Sequence, residues 1–259
     1  MKATEKEIIY NLLKTADAYE TGYTRDIFSL LIQFFDDPEK TFENQENTED
    51  SQSIIAQSQS ENAALTETER TSSTSTRTLD EITAKIMRCT RCGLARTRNN
   101  VVPGTGCLNP EVLVIGEGPG YDEDMQGLPF VGKAGKLLDK MLAAIQLDRN
   151  TNCYIANIVK CRPPENRNPF PDEQSACFSF LEAQIHILKP KMILCMGKIA
   201  IEKLTNQSVS ITQSHGQLFD YNGIPVMPTY HPSALLRDEA LKRPAWEDLK
   251  KFRVKLNQI

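Results

Sequence analysis

No apolar run in this 259-residue chain approaches the roughly 18 residues that a membrane helix needs. The opening MKATEKEIIYNLLK also lacks the uninterrupted apolar stretch of a secretory signal. Both absences argue against a membrane or secreted protein and lead us to expect a cytoplasmic one. The chain has no internal repeat and no lysine-bearing P-loop pattern. It lacks a complete dinucleotide loop as well: in Gly116-Glu117-Gly118-Pro119-Gly120 the glycine wanted three residues after the second one is Tyr121. A cofactor-free small-ligand or reaction site is the better expectation for that turn.

Cysteine is what the chain does have. Seven cysteines, an odd number, in a reducing compartment favour metal ligands and buried thiols over a disulfide framework. Cys89 and Cys92 form a C-x-x-C pair that can chelate one metal from a single loop, and Cys161 and Cys177 can complete a four-sulfur shell. Such a shell suits zinc or an iron–sulfur cluster, and spacing does not choose between them. Cys195, inside MILCMG, reads as a core thiol.

The net charge of −4 hides an asymmetry. Residues 1–79 carry 7 Lys and Arg against 15 Asp and Glu, and residues 80–259 carry 23 against 19, so the two parts stand at −8 and +4. A modestly basic second part is compatible with a phosphate-backbone partner.

Apolar spacing predicts two short amphipathic helices within residues 1–37, a module that could dock a protein partner or simply pack on the rest. Residues 38–78 are rich in Glu, Gln, Asn, Ser and Thr and read as a disordered linker. From residue 79 to 259 strands and helices alternate, which predicts a three-layer α/β/α sandwich around a largely parallel sheet. Within it, strands are expected at 112–115, 154–159 and 192–196, helices at 133–147, 172–188 and 244–256, and a hairpin turn at Asn222-Gly223.

Three segments carry chemistry. The turn after the first strand crowds Glu117, Asp122, Glu123 and Asp124 where an α/β sheet presents its ligand. Carboxylates there suit water activation or stabilisation of positive charge, although Asp122 and Asp124 read better as part of the next segment. Asn157, at a strand end, offers an amide donor and acceptor that complement the imide edge of a pyrimidine. Tyr230-His231-Pro232-Ser233-Ala-Leu235-Leu236-Arg237 places a histidine before a small polar loop with two leucines, suited to hydrogen bonding and to wedging stacked bases, or else to starting a helix with core leucines.

Residues 85–256 resemble the family 4 uracil-DNA glycosylases, the iron–sulfur branch of the uracil-DNA glycosylase superfamily, through C-T-R-C, G-E-G-P-G, G-L-P-F-V-G-K-A-G-K-L-L-D, N-I-V-K-C-R-P-P-E-N-R, the later Cys177 and T-Y-H-P-S-A-L-L-R in this order. The resemblance implies that Cys89, Cys92, Cys161 and Cys177 hold a structural [4Fe-4S] cluster. It implies that Phe130 stacks on a flipped uracil, Asn157 reads its edge and His231 donates to O2. Glu117, the Gly118 backbone and Glu123 would lie near the attacking water. Ser233, Leu235, Leu236 and Arg237 would enter the minor groove of uracil-containing DNA, single- or double-stranded. His215 departs from the arginine that often precedes the glycine at position 216. No lysine in the matched pocket motifs is placed as a Schiff-base nucleophile. Borohydride is therefore expected to trap no covalent adduct with uracil-containing DNA, and a trapped adduct would overturn that expectation.

Overall fold

The structure, a computed structural model, describes residues 78–259. The helical module expected at 1–37 and nearly all of the linker expected at 38–78 lie outside the described residues. The strands β1 (Thr105–Gly106), β2 (Val112–Gly116), β3 (Cys153–Asn157), β4 (Met192–Met196), β5 (Phe219–Tyr221) and β6 (Ile224–Thr229) form one sheet in the order β1-β3-β2-β4-β6-β5. The inner four run parallel, and β1 and β5 pair antiparallel at the two edges.

VLVIG and MILCM are buried at every position, as strands covered on both faces must be. Side-chain alternation then divides the core in two. Val112 and Val114 pack with Leu138 and Leu142 of one helix and Leu249 and Phe252 of another, while Leu113 and Ile115 pack on the opposite face with Leu181, Ile185 and Ile201. The helices involved are α3 (Lys133–Ala143) and α8 (Lys242–Leu256) on the first face, and α4 (Pro171–Leu188) and α5 (Lys198–Thr205) on the second, with α1 at residues 78–87. The expected three-layer sandwich is observed.

The elements follow local chemistry. α4 starts at Pro171, and the Glu173 carboxylate accepts from the Phe170 N–H at 2.7 Å to cap it. Asn222 and Gly223 both take positive φ, as a two-residue hairpin loop requires. The short helices α2 (Tyr121–Gln126), α6 (Ile211–Ser214) and α7 (Pro232–Arg237), and the two-residue β1, are too brief to leave a periodic signature.

Because the inner strands are parallel, Gly116, Asn157, Met196 and Thr229 bring four carboxyl ends to one edge of the sheet. The loop that follows α2 returns to this edge with Phe130, whose carbonyl lies against the backbone of Gly135 in α3. A Cβ at 135 would run into that carbonyl. Gly135→Ala is therefore expected to cost about 1–3 kcal/mol of stability in urea unfolding and to displace Phe130, whereas an unchanged midpoint would show that the loop yields freely.

Candidate active site

The edge of carboxyl ends opens into a cavity of about 380 Å³ whose wall includes Glu117, Gly118, Glu123, Phe130, Asn157 and His231. Six residues expected to share a site from three separate segments are thus brought together. Ser233 and Arg237 also line it, as do Asn166 and Arg167 of the loop after β3. No lysine is among the described residues that line it.

Asn157 is the last residue of β3 and pairs with Gly116 across the parallel strands. It is 2% exposed, and its Oδ1 is a buried acceptor that no described group satisfies. An unpaired buried acceptor costs about 1–3 kcal/mol, so it marks a place where a ligand donor belongs. Gly116 permits this arrangement, because a Cβ there would collide with both Asn157 Oδ1 and the Phe130 ring.

Phe130 is buried and held at φ 52, a conformation that a bulky residue adopts only under constraint. The constraints are visible. Arg149 donates to the Pro129 and Phe130 carbonyls at 3.1 and 2.9 Å and is itself anchored by Asp139 at 2.6 Å. Glu123 holds the other side of the loop: its Oε1 accepts from the Val131 and Gly132 N–H groups at 2.9 and 3.0 Å, and its Oε2 from the Gly120 N–H at 3.1 Å. The carboxylate lines the cavity and, through these three backbone donors, also clamps the loop.

Glu117 has a different environment. No described hydrogen-bond partner or charge acts on its carboxyl, and burial alone pushes its pKa above the ordinary 4.5. A carboxylate so placed is a stronger proton acceptor than a solvated one. Asp124, by contrast, is fully buried and accepts from the Asn99 N–H, the Asn99 side-chain amide and the Asn100 N–H at 2.9, 2.6 and 3.2 Å, a structural anchor for that loop.

His231 caps α7. Its Nδ1 accepts from the Ser233 N–H at 3.1 Å and lies 2.8 Å from the Ser233 hydroxyl. A backbone N–H can only donate, so Nδ1 carries no proton and the neutral ring bears it on Nε2. Burial pulls the histidine down to about 4, the Arg237 charge adds to the shift, and Glu123 opposes it. The ring stands 5.6 Å from that of Phe130. Behind it, Asp248 accepts from Thr229 Oγ1 at 2.8 Å and contacts His215 Nδ1 at 2.9 Å, bracing the end of β6 that delivers His231.

The segment expected to wedge DNA divides in two. Leu236 is 49% exposed, but Leu235 is 2% exposed and belongs to the core beneath α7, which removes it as a DNA-facing residue. The half-buried Ser233 lines the cavity, with its hydroxyl 2.8 Å from His231 Nδ1. Helical geometry points adjacent leucines in different directions, so one of the two is buried.

Cys89, Cys92, Cys161 and Cys177 line a second small cavity together with Arg98, which donates to Cys161 Sγ at 3.1 Å. Among the described residues, no three His, Cys, Asp or Glu side chains converge closely enough to hold a single metal ion. Burial pushes the Cys161 thiol up to about 11 and raises Cys177, so four thiolates here need compensating positive charge, which a metal group supplies. Cys195 is buried in β4, as expected of a core thiol.

Sequence reasoning missed Arg149 and Asp248. Each acts through long-range contacts that no local spacing reveals. Among the described residues no helix is long and apolar enough to cross a membrane.

The family model described as the uracil DNA glycosylase superfamily matches residues 103–250. A protein of Thermotoga maritima named type-4 uracil-DNA glycosylase is 44% identical over 177 residues, which cover 67% of this chain and 92% of that protein. Bearers of the same name from Archaeoglobus fulgidus and Sulfurisphaera tokodaii are each 40% identical, covering 67% and 68% of this chain and 91% and 83% of theirs.

The histidine geometry makes a measurable statement. Nitrogen-15 NMR at pH 7 is expected to find His231 neutral with its proton on Nε2, with no titration until the pH falls toward about 4. Because the folded value lies below the ordinary 6.5, the stability this group contributes is full above that value and is lost as pH falls toward 4. A protonated ring at pH 6, or a proton on Nδ1, would refute the arrangement.

Proposed function

Because the chain belongs to the uracil-DNA glycosylase superfamily, within its type-4 branch, and is a DNA-repair uracil-DNA glycosylase, we propose that Asn157, Phe130, His231 and Glu117 divide the hydrolysis of the uracil–deoxyribose bond among them. The observation that carries this reading is the unsatisfied Asn157 Oδ1 beside the Phe130 ring.

An extruded uracil stacks on Phe130. Asn157 Oδ1 accepts from the base's N3–H and its amide N–H donates to O4. Cytosine presents a donor in place of O4 and no proton on N3, so both contacts fail together. As the bond from C1′ to N1 breaks, the electron pair leaves with uracil and positive charge spreads over the sugar. His231 donates from Nε2 to O2, where negative charge collects. A neutral donor is apt because it strengthens its bond to the forming anion without requiring a buried cation, and losing such a donor costs about 10²–10³ in rate. Glu117 takes a proton from the water that attacks C1′. Water's hydroxyl ends on the sugar, a proton ends on the base, and an abasic site remains. Glu123 and the Gly118 backbone position the water-holding turn, and Leu236 with Arg237 fills the gap left in the strand.

Cys89, Cys92, Cys161 and Cys177 would hold a [4Fe-4S] cluster. Four cysteines lining one cavity supply the all-sulfur donor set that such a cluster or a zinc ion takes, and the resemblance to family 4 favours the cluster. When bound, the cluster supplies a crosslink between chain segments and takes no part in the hydrolysis. A cytoplasmic setting is supported by seven cysteines without a disulfide. Action on both single- and double-stranded DNA is supported by a cavity that reads one extruded nucleotide, which either form can supply.

The test is base release from matched oligonucleotides carrying uracil, hypoxanthine or thymine opposite guanine, followed by alkaline cleavage, with wild type and Asn157→Asp compared on uracil and cytosine. Release confined to uracil and a relaxed uracil-over-cytosine preference in the variant are expected. Undiminished rejection of cytosine by Asn157→Asp would remove the edge-reading role.

A further inference from the structure

Lys160 is 1% exposed and stands among the largest fully buried side chains of the domain. No carboxylate pairs with it among the described residues. Its Nζ instead donates to the Asn157 carbonyl at 3.0 Å and to Gln184 Oε1 at 2.7 Å. Gln184, itself fully buried, donates onward to the Pro103 carbonyl at 2.9 Å. A buried ammonium is tolerated only where its protons are received, so this chain of contacts is specific rather than incidental.

The backbone of the same residue is used differently. Its N–H donates to Cys177 Sγ at 3.3 Å, and its carbonyl accepts from the Val102 N–H at 2.8 Å. In an ordinary four-residue turn the carbonyl of the first residue meets the N–H of the fourth. Here the side-chain ammonium of Lys160 meets the Asn157 carbonyl, which leaves the Lys160 N–H for the sulfur. One residue thereby touches both the cysteine-lined cavity and the strand end that bears the pocket amide.

We propose that Lys160 is a positioning residue that orients the Asn157 amide toward the uracil edge, with Gln184 as the acceptor that aims it. The inference rests on the edge-reading role of Asn157. The ammonium fixes the Asn157 peptide plane, and the side chain branches from the same Cα into the cavity. A tilt of that plane would misalign Oδ1 with the base's N3–H while leaving the Phe130 stack and the DNA-facing loops intact. Loss is therefore confined to base recognition and does not extend to DNA binding.

The test uses the metal-replete full chain with Lys160→Met, which keeps the length but removes the donors, and Gln184→Met, which keeps the ammonium but removes its aim. Each variant is expected to weaken inhibition by free uracil and to slow single-turnover uracil release by about tenfold or more, with metal per chain and affinity for abasic-site DNA unchanged. Uracil inhibition at the wild-type level in either folded variant overturns the proposal. So does a matched loss of metal, stability and abasic-DNA binding, which is what a purely structural lysine would give. If Lys160→Met does not fold, Gln184→Met decides with the same outcomes. Sensitivity to Asn157→Asp with indifference to these variants removes this inference alone, whereas indifference to Asn157→Asp removes the reading beneath it.

Discussion

The parallel pairing of Gly116 with Asn157 is the constraint on which the site depends. It sets a residue without a side chain beside one with an amide, and the empty space admits both the amide oxygen and the Phe130 ring. The pairing does not stop where the strands stop. The Ile158 N–H donates to the Gly116 carbonyl at 3.0 Å and the Val159 N–H to the Glu117 carbonyl at 3.1 Å, so the two functional turns remain bonded beyond the sheet. Glu117 and Asn157 are thus fixed relative to each other by backbone, the least deformable means the fold has.

Around that pair the domain accepts several unfavourable local states. Asn157 Oδ1 goes without a partner, Phe130 is held at positive φ, and burial lowers the pKa of His231. The first two each cost on the order of 1–3 kcal/mol in the free protein, and on the proposed reading a base with an N3 proton would relieve the first. Strain gathered at one edge of an otherwise well-satisfied sheet is what distinguishes a binding edge from a structural one. The clamps that maintain it, Glu123 and Arg149, bond to backbone rather than to ligand, so they can hold the strained loop in place whether or not DNA is bound.

Much of this was legible in the sequence, for identifiable reasons. VLVIG and MILCM are continuous apolar runs that only a doubly covered parallel strand accommodates, so the layers followed directly. Asn157 ends one strand and Glu117 follows another, where position along the chain predicts position in space. What was not legible depends on direction or on distance. Leu235 and Leu236 are adjacent and identical in type, and only the rotation of α7 decides that the first is core. Glu123 and Glu117 are both carboxylates of one turn, yet one is spent on three backbone donors and the other is left with none. Nothing in the local sequence around Lys160 shows that the fold brings Gln184 against it from 24 residues away.

The cysteine set bears on the pocket through chain length. Asn157 and Cys161 are separated by four residues, which span at most roughly 14 Å even when fully extended. They are not extended, since the Lys160 ammonium draws the segment back onto the Asn157 carbonyl. On the cluster reading, a crosslink from Cys161 to Cys89 and Cys92, about seventy residues away in the chain, would remove far more freedom from the unfolded ensemble than a local contact could. Its effect in the folded state is then greatest where the chain between the crosslink and a functional side chain is shortest and most tightly bonded. That stretch is 157–161, so on the proposed reading a metal group held by the cysteines would bear most directly on the strand end that carries Asn157.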